Sequence, residues 1–476
     1  MKLRTNVIYS SILTVSGYIF PFITFPYVTR VLGVEYFGLC GFFDSIITYF
    51  TLFSMMGIST LGIREIAKFS GDRGKLNQTY SSLFTLNAIS TVIAIVVLLL
   101  SSLIVEKFND NSKMIYIGCL KIVSNFLLIE WFYRGIENFK FITFRSIFIR
   151  SLYVISVFLF VKTSEDYVLY FLLTALMFTV NAVINMLYSS RFVSFSFRSI
   201  RLQYYIKPFV IFGAYQLLTS MYTSFNIAYL GFISGNTEVG YYSTSVKLFN
   251  ILLSFYTAFT GVLLPRMSTL ASDENKNEFA KLIYRSFNIL FTIAIPIIVF
   301  SEIYTPEIVN IMSGSEYERS IIPMRIVMPL VLIIGIEQIL VYQILIPLNQ
   351  DKKVFINSTI GAIVGILANI ILIPFFASVG SALVWVLSEV CVLVSSYCFV
   401  LSSIKVIPII NLLSRKLIES IPLVIILMIV RFFYSGISSL IVSIAIMFFY
   451  YLIIEMTVNK NTMIKLILPF LFKEKK

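Results

Sequence analysis

Four charged residues lie well inside long apolar stretches of this sequence. Lys121 and Lys247 stand several residues from the nearest end of their stretches, and Glu337 and Glu389 lie near the middle of two others. A charge held in hydrocarbon is costly, so it marks a functional site or pairs with a neighbour. We expect the lysines to bind an anion in a central cavity, and the carboxylates to relay a proton or a sodium ion. The alternatives are lysines that reach back to the headgroups and carboxyls that stay protonated against a neighbouring helix.

Three further polar residues are candidates for the same site. Arg30 and Asp44 lie near the outer ends of the first two apolar stretches, and Asn125 follows Lys121 by one helical turn. Arg30 either binds substrate or lies at the membrane interface. Asp44 either takes part in ion coupling or pairs with Arg30, and Asn125 either bonds a sugar hydroxyl or joins two helices.

Glu130 and Arg134 form a candidate gate. They are four residues apart, so they share one helical face and form a favourable pair. One interpretation is an inner gate whose ion pair breaks and re-forms during transport. The other is an anchor at the inner interface, with Trp131 and Tyr133 in the aromatic belt.

The elements that carry these residues are predicted to be membrane-spanning helices. Of 476 residues, 58% are hydrophobic, against about 45–50% in soluble proteins. A crossing needs roughly 20 apolar residues. The sequence therefore predicts an all-α integral membrane protein with about fourteen transmembrane helices, at 8–30, 41–63, 82–104, 114–136, 146–162, 167–188, 208–233, 242–264, 286–305, 323–347, 357–376, 379–401, 417–434 and 437–455.

The first predicted helix contains Pro21 and Pro26, each of which removes a backbone donor. Such a helix is tolerated in a membrane where protein or water satisfies the freed carbonyls. We expect it to line a cavity, to end at Arg30 and to turn over residues 33–38.

Charge and composition limit the location and the chemistry. Most of the 37 lysines and arginines fall on the side that would hold both termini, which predicts that side to be cytoplasmic. The net charge of +13 then reflects topology and anionic headgroups, with no nucleic acid as partner. There is no histidine, and the four cysteines have no paired spacing, so we expect no metal site. The first apolar stretch is expected to stay as a helix and not to be cleaved as a signal peptide.

An internal duplication is also predicted. A shift of 202 residues lays Gly38 on Gly240 and Arg64 on Arg266. We expect two pseudo-symmetric six-helix lobes, at 1–207 and 208–402, with helices thirteen and fourteen and a basic tail at 403–476. In many transporters the substrate lies between two such repeats.

Four sequence motifs resemble those of the polysaccharide flippases of the multidrug/oligosaccharidyl-lipid/polysaccharide exporter superfamily, the O-antigen translocase type. The motifs are FPYVTRVLG and GISTLGIREIAK in helices one and two, EWFYRGIENFKFITFR after helix four, and ILIPLNQDKK after helix ten. Family members often have Asp and Gln where this chain has Glu130 and Arg134, so the sequence departs from the family pattern at this pair.

The resemblance implies two lobes around a central cavity in a bacterial cytoplasmic membrane. It also implies export of an undecaprenyl-diphosphate-linked oligosaccharide, driven by an ion gradient and without a cofactor. Membrane lipids and polysaccharide assembly proteins are the expected partners. The rivals are a drug or peptidoglycan-precursor exporter of the same superfamily, and a membrane-embedded polymerase or ligase. A polymerase or ligase would place a large loop over the membrane, whereas the longest predicted outer loop here is 306–322.

Overall fold

The computed structural model describes residues 2–69, 71–250, 276–348, 350–402, 409–434 and 436–457, together with Leu253 and Met267. Within these residues every regular element is helical, as predicted. The chain forms two compact units. The first comprises Met1–Ser243 and Gly361–Trp385, and the second comprises Thr244–Ile360 and Val386–Lys476.

Seventeen helices are labelled here among the described residues, in chain order. Those of the first half are α1 (Lys2–Met55), α2 (Ile58–Lys68), α3 (Arg73–Ile104), α4 (Glu106–Asp110), α5 (Ser112–Leu127), α6 (Glu130–Gly135), α7 (Phe139–Phe160), α8 (Tyr167–Ser189), α9 (Leu202–Thr223) and α10 (Phe225–Ile233). Those of the second half are α11 (residues 236–250), α12 (Lys276–Ser313), α13 (Ile321–Val327), α14 (Leu330–Gln338), α15 (Asp351–Leu401), α16 (Ile409–Phe433) and α17 (Gly436–Thr457).

Nine helical stretches among the described residues are long and apolar enough to cross a membrane. Two of them, Ile8–Lys68 with 61 residues and Asp351–Leu401 with 51, far exceed the roughly 20 residues of one crossing. Each contains a backbone break, at Gly33 (φ 68°) and at Ala377 (φ 47°), where the sequence predicts a turn between two spans. The protein is therefore a multi-pass membrane protein, and the count of fourteen spans and the side of the termini stay predictions.

The turn after the first span is shorter than expected. Helix α1 passes through Pro21 and Pro26 and leaves helical geometry only at Gly33, whose positive φ suits glycine. The predicted helix end at Arg30 was thus three residues early, and the turn predicted over residues 33–38 is confined to its first residue, Gly33. Near the second proline, the Thr29 hydroxyl donates a hydrogen bond of 2.9 Å to the Phe25 carbonyl.

One predicted helix has an internal break, and the boundary of another was wrong. The fourth predicted helix, 114–136, matches the candidate span Ser112–Gly135, but it breaks after Leu127, at Ile129 (φ 37°), and α6 follows as a separate piece. The fifth begins at Phe139 and not at residue 146, so Arg145 and Arg150 lie inside a spanning helix and not at its entrance. Of the eighth predicted helix, 242–264, residues 251–252 and 254–264 lie outside the described residues.

Two of the sequence motifs pack against each other. A Cβ atom on Gly62 in α2 would lie 2.5 Å from Cε3 of Trp131, and one on Gly135 in α6 would lie 2.6 Å from Cγ2 of Ile66. Contacts this short leave no room for a side chain. Gly62 in GISTLGIREIAK and Gly135 in EWFYRG are therefore needed for the close approach of α2 and α6.

In the first unit, α1 and α11 cross with their backbones in contact. A Cβ atom on Gly38 would lie 1.9 Å from the Asn236 carbonyl oxygen, and one on Gly240 would lie 2.3 Å from the Val34 oxygen. Gly38 and Gly240 are the residues that the predicted duplication superimposes. Equivalent residues meet in this way at a two-fold axis, although the duplication itself stays a prediction.

In the second unit, polar side chains of α12 bond to side chains of α16 and α17. The Tyr304 hydroxyl hydrogen-bonds Ser439 at 3.0 Å and Ser443 at 2.6 Å, both on α17. On α16, Arg431 Nε donates to Glu307 Oε1 over 2.9 Å. Polar bonds of this kind join helices where lipid supplies no hydrophobic drive for association.

The crossing of α1 and α11 makes a stability prediction. We expect Gly38→Ala to lower the unfolding temperature in detergent, because overpacking costs about 1–3 kcal/mol. Gly71→Ala is the control, since a Cβ atom there meets nothing within 4 Å. Equal unfolding temperatures for Gly38→Ala and the unmodified protein, measured by scanning fluorimetry, would contradict the crossing.

Candidate functional site

The first unit contains an ion pair between the two predicted spanning helices α1 and α5. Lys121 Nζ donates to Asp44 Oδ1 at hydrogen-bonding distance. The lysine side chain is 10% exposed, whereas the aspartate side chain is 56% exposed. The Lys121 ammonium also lies 4.6 Å from the centre of the Phe171 ring on α8, a favourable cation–π distance. The carboxylate and the aromatic ring therefore hold the lysine from two sides.

Two tyrosines lie beside this pair. Tyr153 on α7 and Tyr170 on α8 lie close to each other, and both lie close enough to Asp44 to interact with it electrostatically. Helices α1, α5, α7 and α8 thus each contribute a polar side chain to one region of the first unit.

The other predicted binding residues of the first unit take different positions. Asn125 follows Lys121 by one turn on α5 and is half-buried, and Arg30 is exposed three residues before the break at Gly33. The structure pairs Asp44 with Lys121, a partner that we had not predicted. A role for Arg30 in binding, or in pairing with Asp44, stays a prediction.

The predicted gate residues belong to a larger network. Glu130 accepts from Arg134 over 3.5 Å and from Arg145 over 3.0 Å. The Arg145 side chain, only 4% exposed, also donates to the side-chain oxygen of Asn185 on α8. Asn185 in turn donates to the Leu128 carbonyl at the break between α5 and α6. The network therefore holds α5 and α6, the two parts of the fourth predicted helix, against α7 and α8.

Arg150, on the same helix as Arg145, contacts α1. Its Nη1 atom donates to the Leu13 carbonyl over 3.1 Å and to the Ser16 hydroxyl over 2.5 Å. Gly17 lies next to this contact, and a Cβ atom there would be 3.7 Å from both terminal nitrogens of Arg150.

Sequence reasoning missed Arg145, Asn185 and Arg150 as site residues. The fifth predicted helix begins after Arg145, with Arg150 near its start, because positive charge usually marks a loop. The apolar residues on either side of both arginines, in FKFITFRSIFIRSLYV, could have indicated one continuous helix. Asn185 carries no charge and lies in an ordinary apolar stretch, so only its contacts identify it.

The second unit contains the remaining predicted residues. Lys247 on α11 is exposed, Glu337 on α14 is half-buried, and Glu389 on α15 is 3% exposed. Glu337 and Glu389 interact electrostatically, so the structure brings the two predicted coupling acids into one neighbourhood. Just after Glu337 the helix widens into a π-helical segment, Ile339–Leu345, a feature frequent at functional sites.

Metal binding finds no support in the described part of the chain. There, no group of three or more His, Cys, Asp or Glu residues is placed to hold a metal ion. The polar groups described in the first unit are instead the cations of Lys121, Arg145 and Arg150, the carboxylates of Asp44 and Glu130, and hydroxyl groups.

Comparison with known proteins gives a family and a relative. Residues 3–271 match the model of the family described as polysaccharide biosynthesis protein. A protein of Escherichia coli (strain K12) named "Putative O-antigen transporter" is 27% identical over 399 residues, which cover 82% of this chain and 94% of that protein.

Solved transporters share the fold. The lipid II flippase MurJ in an inward closed conformation superimposes with a TM-score of 0.77 and 15% identity, over 94% of this chain and 97% of that one. An outward-facing multidrug resistance transporter of the MATE family and the MOP superfamily gives a TM-score of 0.60 and 12% identity, over 83% and 94% of the two chains.

The family match covers more than half of the sequence, and the motifs, the helices and the shared fold point to the same class. The chain therefore belongs to the polysaccharide biosynthesis protein family, and it shares the fold of membrane flippases and exporters.

Proposed function

We propose that this protein moves undecaprenyl-diphosphate-linked oligosaccharide repeat units from the inner to the outer leaflet of the bacterial cytoplasmic membrane, by alternating access. The observation that carries the proposal is the ion pair of Lys121 and Asp44 within the spanning helices. The name of the Escherichia coli relative, an O-antigen transporter, supports the same class of cargo.

The exposure of Asp44 supports a water-lined site. Asp44 is eleven residues beyond the break at Gly33 on α1, about 16 Å along a helix, yet its side chain is 56% exposed. An exposed carboxylate at that depth is costly if it faces lipid and tolerable if it faces water. We infer that this face of α1 lines an aqueous crevice.

The pairing of Lys121 supports a mechanism of anion exchange. With Asp44 as its partner, the lysine is compensated while the site holds no substrate. A diphosphate carries more negative charge than one carboxylate, so it competes for the ammonium group and displaces Asp44. Release of the diphosphate at the outer leaflet allows the pair to re-form, which returns the site to its starting charge.

The surrounding groups suit the remainder of such a substrate. Asn125 and the hydroxyls of Tyr153 and Tyr170 are donors and acceptors for sugar hydroxyls. The polyprenyl chain would stay in lipid while only the headgroup enters the crevice. Arg30, exposed in the first unit, would add positive charge for the diphosphate, and an anion-binding role for Lys247 in the second unit stays a prediction.

The acidic pair of the second unit supports ion coupling. Two carboxylates that interact electrostatically do not both ionise readily, so they tend to share a cation. Glu337 and Glu389 would bind a proton or a sodium ion in one conformation and release it in the other. In this proposal Glu130 and Arg134 form part of an inner gate, together with Arg145 and Asn185, which belong to the same network. The protein has no enzymatic activity in this proposal.

Genetic complementation tests the substrate class. We expect the gene to restore surface polysaccharide in a strain lacking its O-antigen flippase, and not to restore viability when the peptidoglycan-precursor flippase is depleted. The opposite pattern would identify a lipid II exporter. Polymer formation by the purified protein would identify an enzyme instead.

Charge reversal tests the anion site. We expect Lys121→Glu and Lys247→Glu each to reduce export of surface polysaccharide at least about tenfold, because a like charge repels the diphosphate. Lys113→Glu, at the exposed start of α5, is the matched control and should export normally.

A charge swap separates anion binding from folding. The double variant Asp44→Lys with Lys121→Asp keeps an ion pair, so we expect it to fold and to lose export. Normal export by the swapped variant, or by both single reversals, would refute the anion site.

Neutral substitutions test the acidic pair. We expect Glu337→Gln and Glu389→Gln to abolish gradient-driven transport in proteoliposomes while exchange of substrate across the membrane continues, because only the coupling ion loses its site. Glu316→Gln is the control, since Glu316 is exposed within the segment Ser315–Ser320. Retention of gradient-driven transport by both variants would exclude these acids from coupling.

A further inference from the structure

Arg150 is a cation near the middle of a spanning helix. Helix α7 has 22 residues, from Phe139 to Phe160, and is long and apolar enough to cross the membrane once. Arg150 lies about 15 Å from either end at 1.5 Å per residue. A lysine or arginine side chain cannot cover that distance to reach the headgroups, so Arg150 needs a local partner.

The contacts of Arg150 are with neutral atoms. Its Nη1 atom bonds the Leu13 carbonyl and the Ser16 hydroxyl, neither of which carries a charge. Glu130 acts on it only electrostatically, while that carboxylate already bonds Arg134 and Arg145. Three arginines therefore depend on one carboxylate, and this part of the first unit has an excess of positive charge.

Geometry connects Arg150 to the ion pair of the first unit. Tyr153 follows Arg150 by three residues on α7, so the two side chains are neighbours on one helical surface. Tyr153 in turn interacts with Asp44, the partner of Lys121. Arg150 and Tyr153 thus place two polar side chains on the same surface of α7, between the contact with α1 and the region of Asp44.

We propose that Arg150, oriented by Leu13 and Ser16, is a second anion-binding position, which holds the diphosphate of the lipid-linked substrate on the inner side of Lys121. The inference rests on the proposed function and adds a step to it. The diphosphate first meets a cation that has no carboxylate to displace, and it then passes to Lys121, which exchanges it for Asp44. The shared chemistry is that of a phosphate ester, from either the substrate or a phospholipid headgroup.

Binding of farnesyl diphosphate to the purified full-length protein tests the inference. This probe has the diphosphate and a short isoprenoid chain. We expect Arg150→Gln to weaken its binding at least about tenfold, because hydrogen bonds to charged groups are among the stronger ones. Arg150→Lys keeps the charge and should retain most of the affinity. Arg198→Gln, in the short exposed helix Phe197–Ser199, is the control and should bind as the unmodified protein does.

The same measurements separate a binding role from a structural one. If Arg150 merely joins α7 to α1, both Arg150 variants lower the unfolding temperature, and the folded protein binds the probe normally; that result overturns the inference. Equal competition by phosphatidylglycerol would assign the position to a phospholipid headgroup and overturn it as well.

Failure of this inference is distinguishable from failure of the proposed function. Weaker binding in Lys121→Glu together with normal binding in Arg150→Gln overturns only the second position. Normal binding in both variants overturns the anion site as a whole.

Discussion

The cost of a charge in hydrocarbon is the constraint on which this structure depends. Lys121 and Asp44 lie between spanning helices as an ion pair in which each charge compensates the other, and an exposed carboxylate among such helices is tolerable where it faces water. Helices α5 and α8 supply the lysine and its aromatic contact, and α1 supplies the carboxylate. The pair and its aromatic contact thus join three helices, and in the proposed function the carboxylate exchanges with another anion.

Backbone breaks and glycines make that arrangement possible. Gly33 ends one span of α1 and begins the next within a single residue, which fixes the height of Asp44. The left-handed conformation of Ile129 separates α5 from α6, and Asn185 satisfies the adjacent carbonyl of Leu128. Glycines at the crossing of α1 with α11 and at the contact of α2 with α6 bring helices closer than side chains would permit.

The sequence was sufficient for the fold class and for the residues that carry unusual charge. Apolar length predicts a spanning helix directly, and a lone lysine such as Lys121 stands out against it. The partner of Lys121 could not be predicted, because pairing depends on how α1 packs against α5. The position of Arg150 was misjudged for a related reason: positive charge was taken to mark a loop, whereas α7 continues through both of its arginines. The break at Gly33 lies within the turn that was predicted over residues 33–38, but its restriction to a single residue could not be predicted, since Glu35 and Gly38 in the same segment also favour a turn.

Chemical labelling at position 44 tests the central claim most directly. In a protein with Cys40, Cys119, Cys391 and Cys398 replaced, Asp44→Cys would be treated with a membrane-impermeant thiol reagent in sealed vesicles of each orientation. A water-lined crevice predicts labelling from one side of the membrane, and protection when farnesyl diphosphate is present. A cysteine that stays unlabelled from both sides would place this face of α1 in lipid, and the account of a wet, exchangeable ion pair would be wrong.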